Sequence, residues 1–193
     1  MTTAAVDAPR PSAPPTVRAV RLGRQSRIAI ALASAVGLIA FAWPLLASPG
    51  SSAVAHADDA PLLFALVVPV LLVVVLAQVS DGGMDAKSIA MLGVLAAVIA
   101  ALRPLGGGTA GIEPIWVVLI LGGRALGPGF GFCLGAISLF ASALLTGGVG
   151  PWLPFQMLAA AWVGLGAGLL PRASGRRALR MLAAYGAVAC VAY

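Results

Sequence analysis

Few side chains in this sequence could act on a ligand, and most of them border long apolar runs. Arg103 and Glu113 flank a glycine-rich stretch, Gly106-Gly107-Gly108-Thr109-Ala110-Gly111. Both sit beside apolar sequence, where an ionisable group is costly and is usually paired or functional. A salt bridge across the stretch, a polar substrate facing one or both groups, or interfacial snorkelling would each satisfy them. Further on, residues 146–157 read TGGVGPWLPFQM. The Gln156 amide there needs a partner inside a helical bundle or from a ligand. Trp152 and Phe155 beside it, together with Trp116 and Trp162, offer aromatic faces or serve as interfacial belt residues. Aromatic faces with one or two converging polar groups are the chemistry of a small-molecule pocket. Arg103, Glu113, Trp116, Trp152, Phe155 and Gln156 are therefore the expected substrate-binding residues.

Covalent chemistry has no visible apparatus. Gly106, Gly108 and Gly111 match G-x-G-x-x-G, but a dinucleotide site needs a strand before the glycines and a βαβ unit around them. No G-x-x-x-x-G-K-[ST] occurs, so the chain binds no ATP through a P-loop of its own. It contains no G-x-S-x-G and no H-E-x-x-H, and His56 is its one histidine. No Cys, Asp or Glu cluster stands near His56 at ligand spacing, so no metal, cofactor or catalytic residue is expected. Asp58 and Asp59 read as a loop exit, Asp81 and Asp85 as a solvated turn, and Ser138 and Ser142 as helix-packing hydroxyls. Cys133 and Cys190 lie inside apolar runs and read as small buried residues rather than a disulfide. A membrane enzyme acting on a lipid-linked substrate would need carboxylates at a helix end. Asp81 and Asp85 are the only pair in a suitable place, which makes that reading the alternative to a binding protein. A non-transporting membrane scaffold is a third.

The elements that position these residues are membrane helices. Of 193 residues, 61% are hydrophobic and 9% charged, and the mean hydropathy is +1.03. Soluble domains are about a quarter charged, so a soluble globular protein and a disordered one are both excluded. Residues 1–27 form a basic, Pro-containing tail. Residues 28–47 then carry no charge; at 1.5 Å per residue they span about 30 Å, one hydrocarbon core. A basic flank before an apolar run can also be a signal peptide. The run is long for that purpose, and a second span, 61–79, follows at once. Further runs cover 89–102, 115–122, 128–145, 152–170 and the stretch from about 180 to Tyr193. The expected fold is an all-α integral membrane protein of about seven transmembrane helices. Met181–Tyr193 is short for a crossing, so the chain is expected to be a fragment of a longer protein.

A net charge of +6 raises nucleic acid as a partner, but the positions of the charges argue otherwise. With the N-terminal tail in the cytoplasm and the spans alternating, eleven of the twelve basic residues fall in inner segments. Only Arg103 lies outside. This is the positive-inside pattern of a multispan protein with a cytoplasmic N-terminus, and no nucleic-acid partner is expected.

Helices in lipid associate through close backbone approach, so small residues mark contact faces. Gly123, Gly127, Gly131 and Gly135 recur every four residues, and Gly164 and Gly168 form a second pair. In the third run Ala86, Ala90, Gly93, Ala97 and Ala101 share one helix face. These stripes either pack within the chain or dock another membrane protein.

Three stretches carry a resemblance to a known family. They are DAKSIAMLGVLAAVIAALRP at 85–104, GGRALGPGFGFCLGAISLFASALLTGGVGPW at 122–152, and PFQMLAAAWVGLGAGLLP at 154–171. In these the chain resembles the substrate-binding (S) component of energy-coupling factor (ECF) transporters, in the form common in actinobacteria. The resemblance implies a bundle of about six helices in the cytoplasmic membrane that binds a vitamin or related micronutrient from outside. It implies as partners a transmembrane coupling (T) protein and two ABC ATPase subunits, besides membrane lipids, and no enzymatic activity. It also implies that the stripe Ala86, Ala90, Gly93, Ala97 and Ala101 pairs with the T protein, and that loops 103–113 and 146–152 cover the ligand. The core would then be 85–193, lacking its last helix, with two additional helices over 28–79 before it.

Overall fold

A computed structural model describes residues 20–46, 60–81, 83–106, 113–150 and 152–192. Among these residues the chain forms seven helices: α1 Arg24–Leu46, α2 Ala60–Ser80, α3 Ala86–Gly106, α4 Ile115–Leu126, α5 Pro128–Thr146, α6 Leu153–Leu169 and α7 Gly175–Ala192. α1, α3 and α5 contain spans long and apolar enough to cross a membrane, while α4 and α6 are shorter apolar helices. At 12 residues, α4 reaches only about 18 Å along its axis. His56, Asp58, Asp59 and most of the Gly106–Gly111 stretch lie outside the described residues.

The boundaries follow local chemistry. Pro128 starts α5 at a position where its missing N–H is no loss, directly after Gly127 at φ +104°. Gly147, at φ +67°, ends that helix in the left-handed conformation that glycine adopts without a steric penalty. Asp85 accepts a hydrogen bond from the Ser88 amide at 2.8 Å and so caps the start of α3. Hydrogen bonds from Ser88 hold the Asp85 carboxyl below the usual carboxylate range.

α5 forms the centre. Phe130, Phe132, Cys133, Leu134 and Leu139 on it are all fully buried, and it packs on α6, α3 and α4. Glycines make this possible. A Cβ on Gly131 would strike the backbone carbonyl of Gly164, and a Cβ on Gly123 would strike the same carbonyl. Three helices therefore meet at bare backbone, with Gly135 against Ala160 and Gly168 against Pro128 extending the α5–α6 seam. The glycine repeats are internal packing faces.

Several boundaries differ from the expectations. α1 begins at Arg24 rather than residue 28, and α3 runs from Ala86 to Gly106 rather than over 89–102. The expected loop Gly123–Gly127 is helical through Leu126, because Gly122 and Gly123 are where Leu134 and α6 press against α4. α7 starts at Gly175 and has 18 residues, so its first turns include Arg176, Arg177 and Arg180. Long basic side chains extend towards water and do not end a helix. Cys190 is exposed rather than buried, and both cysteines are free. Asp81 is no solvated turn residue: its Oδ2 accepts from the Ser26 amide and hydroxyl, both at 2.7 Å. It thereby ties the end of α2 to the start of α1.

α1 lies antiparallel along α6. Ser34 accepts a hydrogen bond from Trp162 Nε1 at 3.0 Å, a Cβ on Gly37 would meet Leu158, and Phe41 reaches Phe155. The two N-terminal helices thus pack against the bundle rather than apart from it.

Candidate functional site

The contacts sort the bundle into two ends. One gathers Val20, Asp81, Arg124 and Leu170, linked by the bonds Val20 N to Leu126 O at 2.8 Å and Arg124 Nη1 to Leu170 O at 2.8 Å. The other gathers the end of α3, the start of α4, the end of α5 and the start of α6. Among the described residues the basic side chains belong to the first end, with Arg103 as the exception at the second.

At that second end α3 presents Arg103 in its last turn, and α6 presents Gln156 in its first. Arg103 Nη2 donates to Gln156 Oε1 at 2.7 Å. A charge-assisted bond of this length is among the stronger kinds in a protein. It joins two of the sequence-predicted residues across 53 positions. Of the readings the sequence leaves open for this pair, a salt bridge between the guanidinium and Glu113 is not formed among the described residues. Instead, the Glu113 side chain packs over Gly106, whose Cβ would lie 3.0 Å from Glu113 Cγ. Glu113 Oε2 is buried and has no hydrogen-bond partner among the described residues. A carboxylate oxygen kept from water without a donor is costly, and a ligand donor would relieve that cost.

The aromatics divide. Trp152 is 56% exposed and its ring covers Gly150, 2.5 Å from where a Cβ would stand. Phe155 packs edge-on to Phe41, centroids 5.1 Å apart and planes at 80°. Phe41 in turn lies 5.6 Å from Trp162. Trp116 is only 3% exposed and belongs to the core. Thus Arg103 and Gln156 are brought into contact, Glu113 packs over Gly106 one turn further along α3, and Trp152 and Phe155 stand at the start of α6. Trp116, in the first turn of α4, is buried. Phe41 joins the cluster unannounced by the sequence, since one Phe in an uncharged run has no distinguishing spacing. Gln78, an amide in the apolar run 61–79, carries the same sequence signal as Gln156 but packs against Gly129 at the opposite end.

The α3 stripe faces outward. Ala86, Ala90, Gly93, Ala97 and Ala101 are all exposed, while Leu92, Ala96, Ile99 and Ala100 on the other side are buried. A Cβ on Gly93 would meet nothing within 4 Å. Among the described residues nothing packs against Gly93 on this face.

The chain is an all-helical, multi-pass membrane protein with polar side chains converging at one end, and its described residues include no cluster able to hold a metal. The chain belongs to the family of ECF transporter substrate-specific components, whose family model matches residues 87–193. It is a transporter subunit and not an enzyme, and it captures a substrate for import by an ECF module. Comparison with curated proteins and with solved structures gives no match.

Proposed function

We propose that the chain captures a vitamin or related micronutrient at the end holding Arg103 and Gln156. A coupling protein and two ABC ATPases then energise its reorientation. The Arg103–Gln156 bond carries this reading. It places a cation and an amide between α3 and α6, beside the two stretches, 103–113 and 146–152, that would cover a ligand. With Trp152 and Phe155 these groups suit a heteroaromatic vitamin or a cobalamin-like molecule. Glu113 contributes a buried oxygen that lacks a donor among the described residues, and Trp116 is buried in the first turn of α4.

The basic end is the cytoplasmic one on this reading, and the N-terminus is inside. The T protein docks on the α3 stripe, which is exposed and flanked by exposed Ile89, Val94 and Val98. Residues 85–193 act as the S-component core of an actinobacterial type, and the α1–α2 hairpin is an addition packed on α5 and α6. The enzyme alternative loses its carboxylates, because Asp81 and Asp85 are both engaged as helix caps.

The test is a thermal-shift screen of the purified full-length protein against a panel of water-soluble vitamins. One compound should stabilise it with sub-micromolar affinity. No shift across the panel would count heavily against the reading.

A further inference from the structure

The basic end holds a cleft that the capture of a substrate at the opposite end does not use. Its volume is about 670 Å³, and it lies between the segment before α1, the α4–α5 turn and the end of α6. That volume is in the range of ligand-binding pockets. Three arginines from three separate segments line it: Arg21, Arg124 and Arg172. Among the described residues no acidic side chain lines it.

The cleft has a fixed base. Arg124 donates to Leu170 O and Pro171 O, both at 2.8 Å. Its guanidinium is held in place with no carboxylate partner among the described residues, and it covers the carbonyl end of α6. Val20 is pinned by its bond to Leu126 O, which brings Arg21 to the rim. Gly127 lets the Val20 backbone come close: a Cβ there would stand 2.7 Å from Val20 O. Arg21 and Arg172 are exposed, and neither makes a hydrogen bond or ion pair among the described residues.

A cluster of unneutralised arginines recognises a phosphate-type anion, because the guanidinium fork matches its oxygens. The surroundings favour a membrane source for that anion. Leu169, which also lines the cleft, is 64% exposed, so apolar surface adjoins the charges at the helix ends. Basic pockets between membrane helices at this level are of the kind that takes lipid head groups. We propose that Arg21, Arg124 and Arg172 form a binding site for the head group of an anionic phospholipid, with Leu169 against its acyl chain.

The site is tested on the full-length protein in detergent, by native mass spectrometry and thermal unfolding. The probes are phosphatidylglycerol, phosphatidylcholine and inorganic phosphate. Phosphatidylglycerol should stay bound and raise the unfolding temperature, whereas the other two should not. Each basic residue near a membrane surface contributes about a fivefold factor in affinity, so Arg21→Gln and Arg172→Gln should each weaken binding about fivefold, and the double variant about 25-fold. Arg124 is left intact because it closes α6. Arg176→Gln with Arg180→Gln on α7 should leave phosphatidylglycerol binding near wild type. Equal binding of phosphatidylcholine, equal stabilisation by inorganic phosphate, undiminished affinity in the double variant, or an equal loss in the α7 variant would each overturn the proposal.

Discussion

Arg103 on α3 and Gln156 on α6 share a 2.7 Å hydrogen bond at the end of the bundle that is otherwise poor in charge. The pair both joins two helices and offers polar atoms to a ligand. Truncating one partner leaves the other without its bond. A hydrogen bond to a charged group is worth about 1.5–3 kcal/mol. Arg103→Ala or Gln156→Ala should therefore weaken binding of the vitamin found in the screen by about tenfold or more. Titration calorimetry on both single variants and the double variant gives the coupling between them. Unaltered affinity in both singles would remove the pair from the site.

Gly93 and Gly164 predict opposite outcomes for the same kind of change. Gly93→Leu adds a side chain where nothing lies within 4 Å, so the isolated protein should unfold at its usual temperature. Its co-purification with the coupling protein should be lost, and Ala97→Leu should behave alike. Gly164→Ala instead drives a methyl into the carbonyl of Gly131. Overpacking of this kind costs about 1–3 kcal/mol or more, so that variant should unfold well below wild type. Retained complex formation by Gly93→Leu would assign the stripe to the lipid.

Gln78 is fully buried, and both its amide atoms lack hydrogen-bond partners among the described residues. It fills the space that a side chain on Gly129 would need. An unpaired buried amide costs about 1–3 kcal/mol. Gln78→Leu, close in size, should raise the unfolding temperature. A lowered temperature would mean that the amide is satisfied in solution.

Asp85 gives the fold an acid-sensitive cap. Its carboxyl is held below the ordinary range by hydrogen bonds from Ser88. A carboxyl depressed in this way contributes its full stabilisation above the unfolded pKa and loses it as pH falls through the folded one. Unfolding temperature measured from neutral pH down to about pH 3 should fall less steeply for Asp85→Ala than for wild type if the ordinary range begins near 4. Parallel slopes would show the cap to be electrostatically silent.

Much of this structure was legible in the sequence. Seven apolar runs gave seven helices, because in lipid only a helix satisfies every backbone group within one segment. The polar residues of the site were legible for the same reason: Arg103 and Gln156 stood out against apolar surroundings. Partner choice was not legible. Arg103 took Gln156 rather than Glu113, since its side chain reaches across to the start of α6 while Glu113 folds back over Gly106. Nor could a repeat of small residues say which way it faces. The glycines of α4–α6 turned inward and the alanines of α3 outward, a matter of where the larger residues of each helix lie.

The outward alanine face has a kinetic consequence. Alanine and glycine have essentially no side-chain rotamers to freeze, whereas a Lys or Met ordered at an interface gives up about 1.5–2 kcal/mol of conformational entropy. A helix that docks along Ala86, Ala90, Gly93, Ala97 and Ala101 meets a surface already in its bound shape. Little has to be rearranged on arrival, and no interlocked side chains have to be withdrawn on departure. Such a face suits a contact that forms and parts repeatedly.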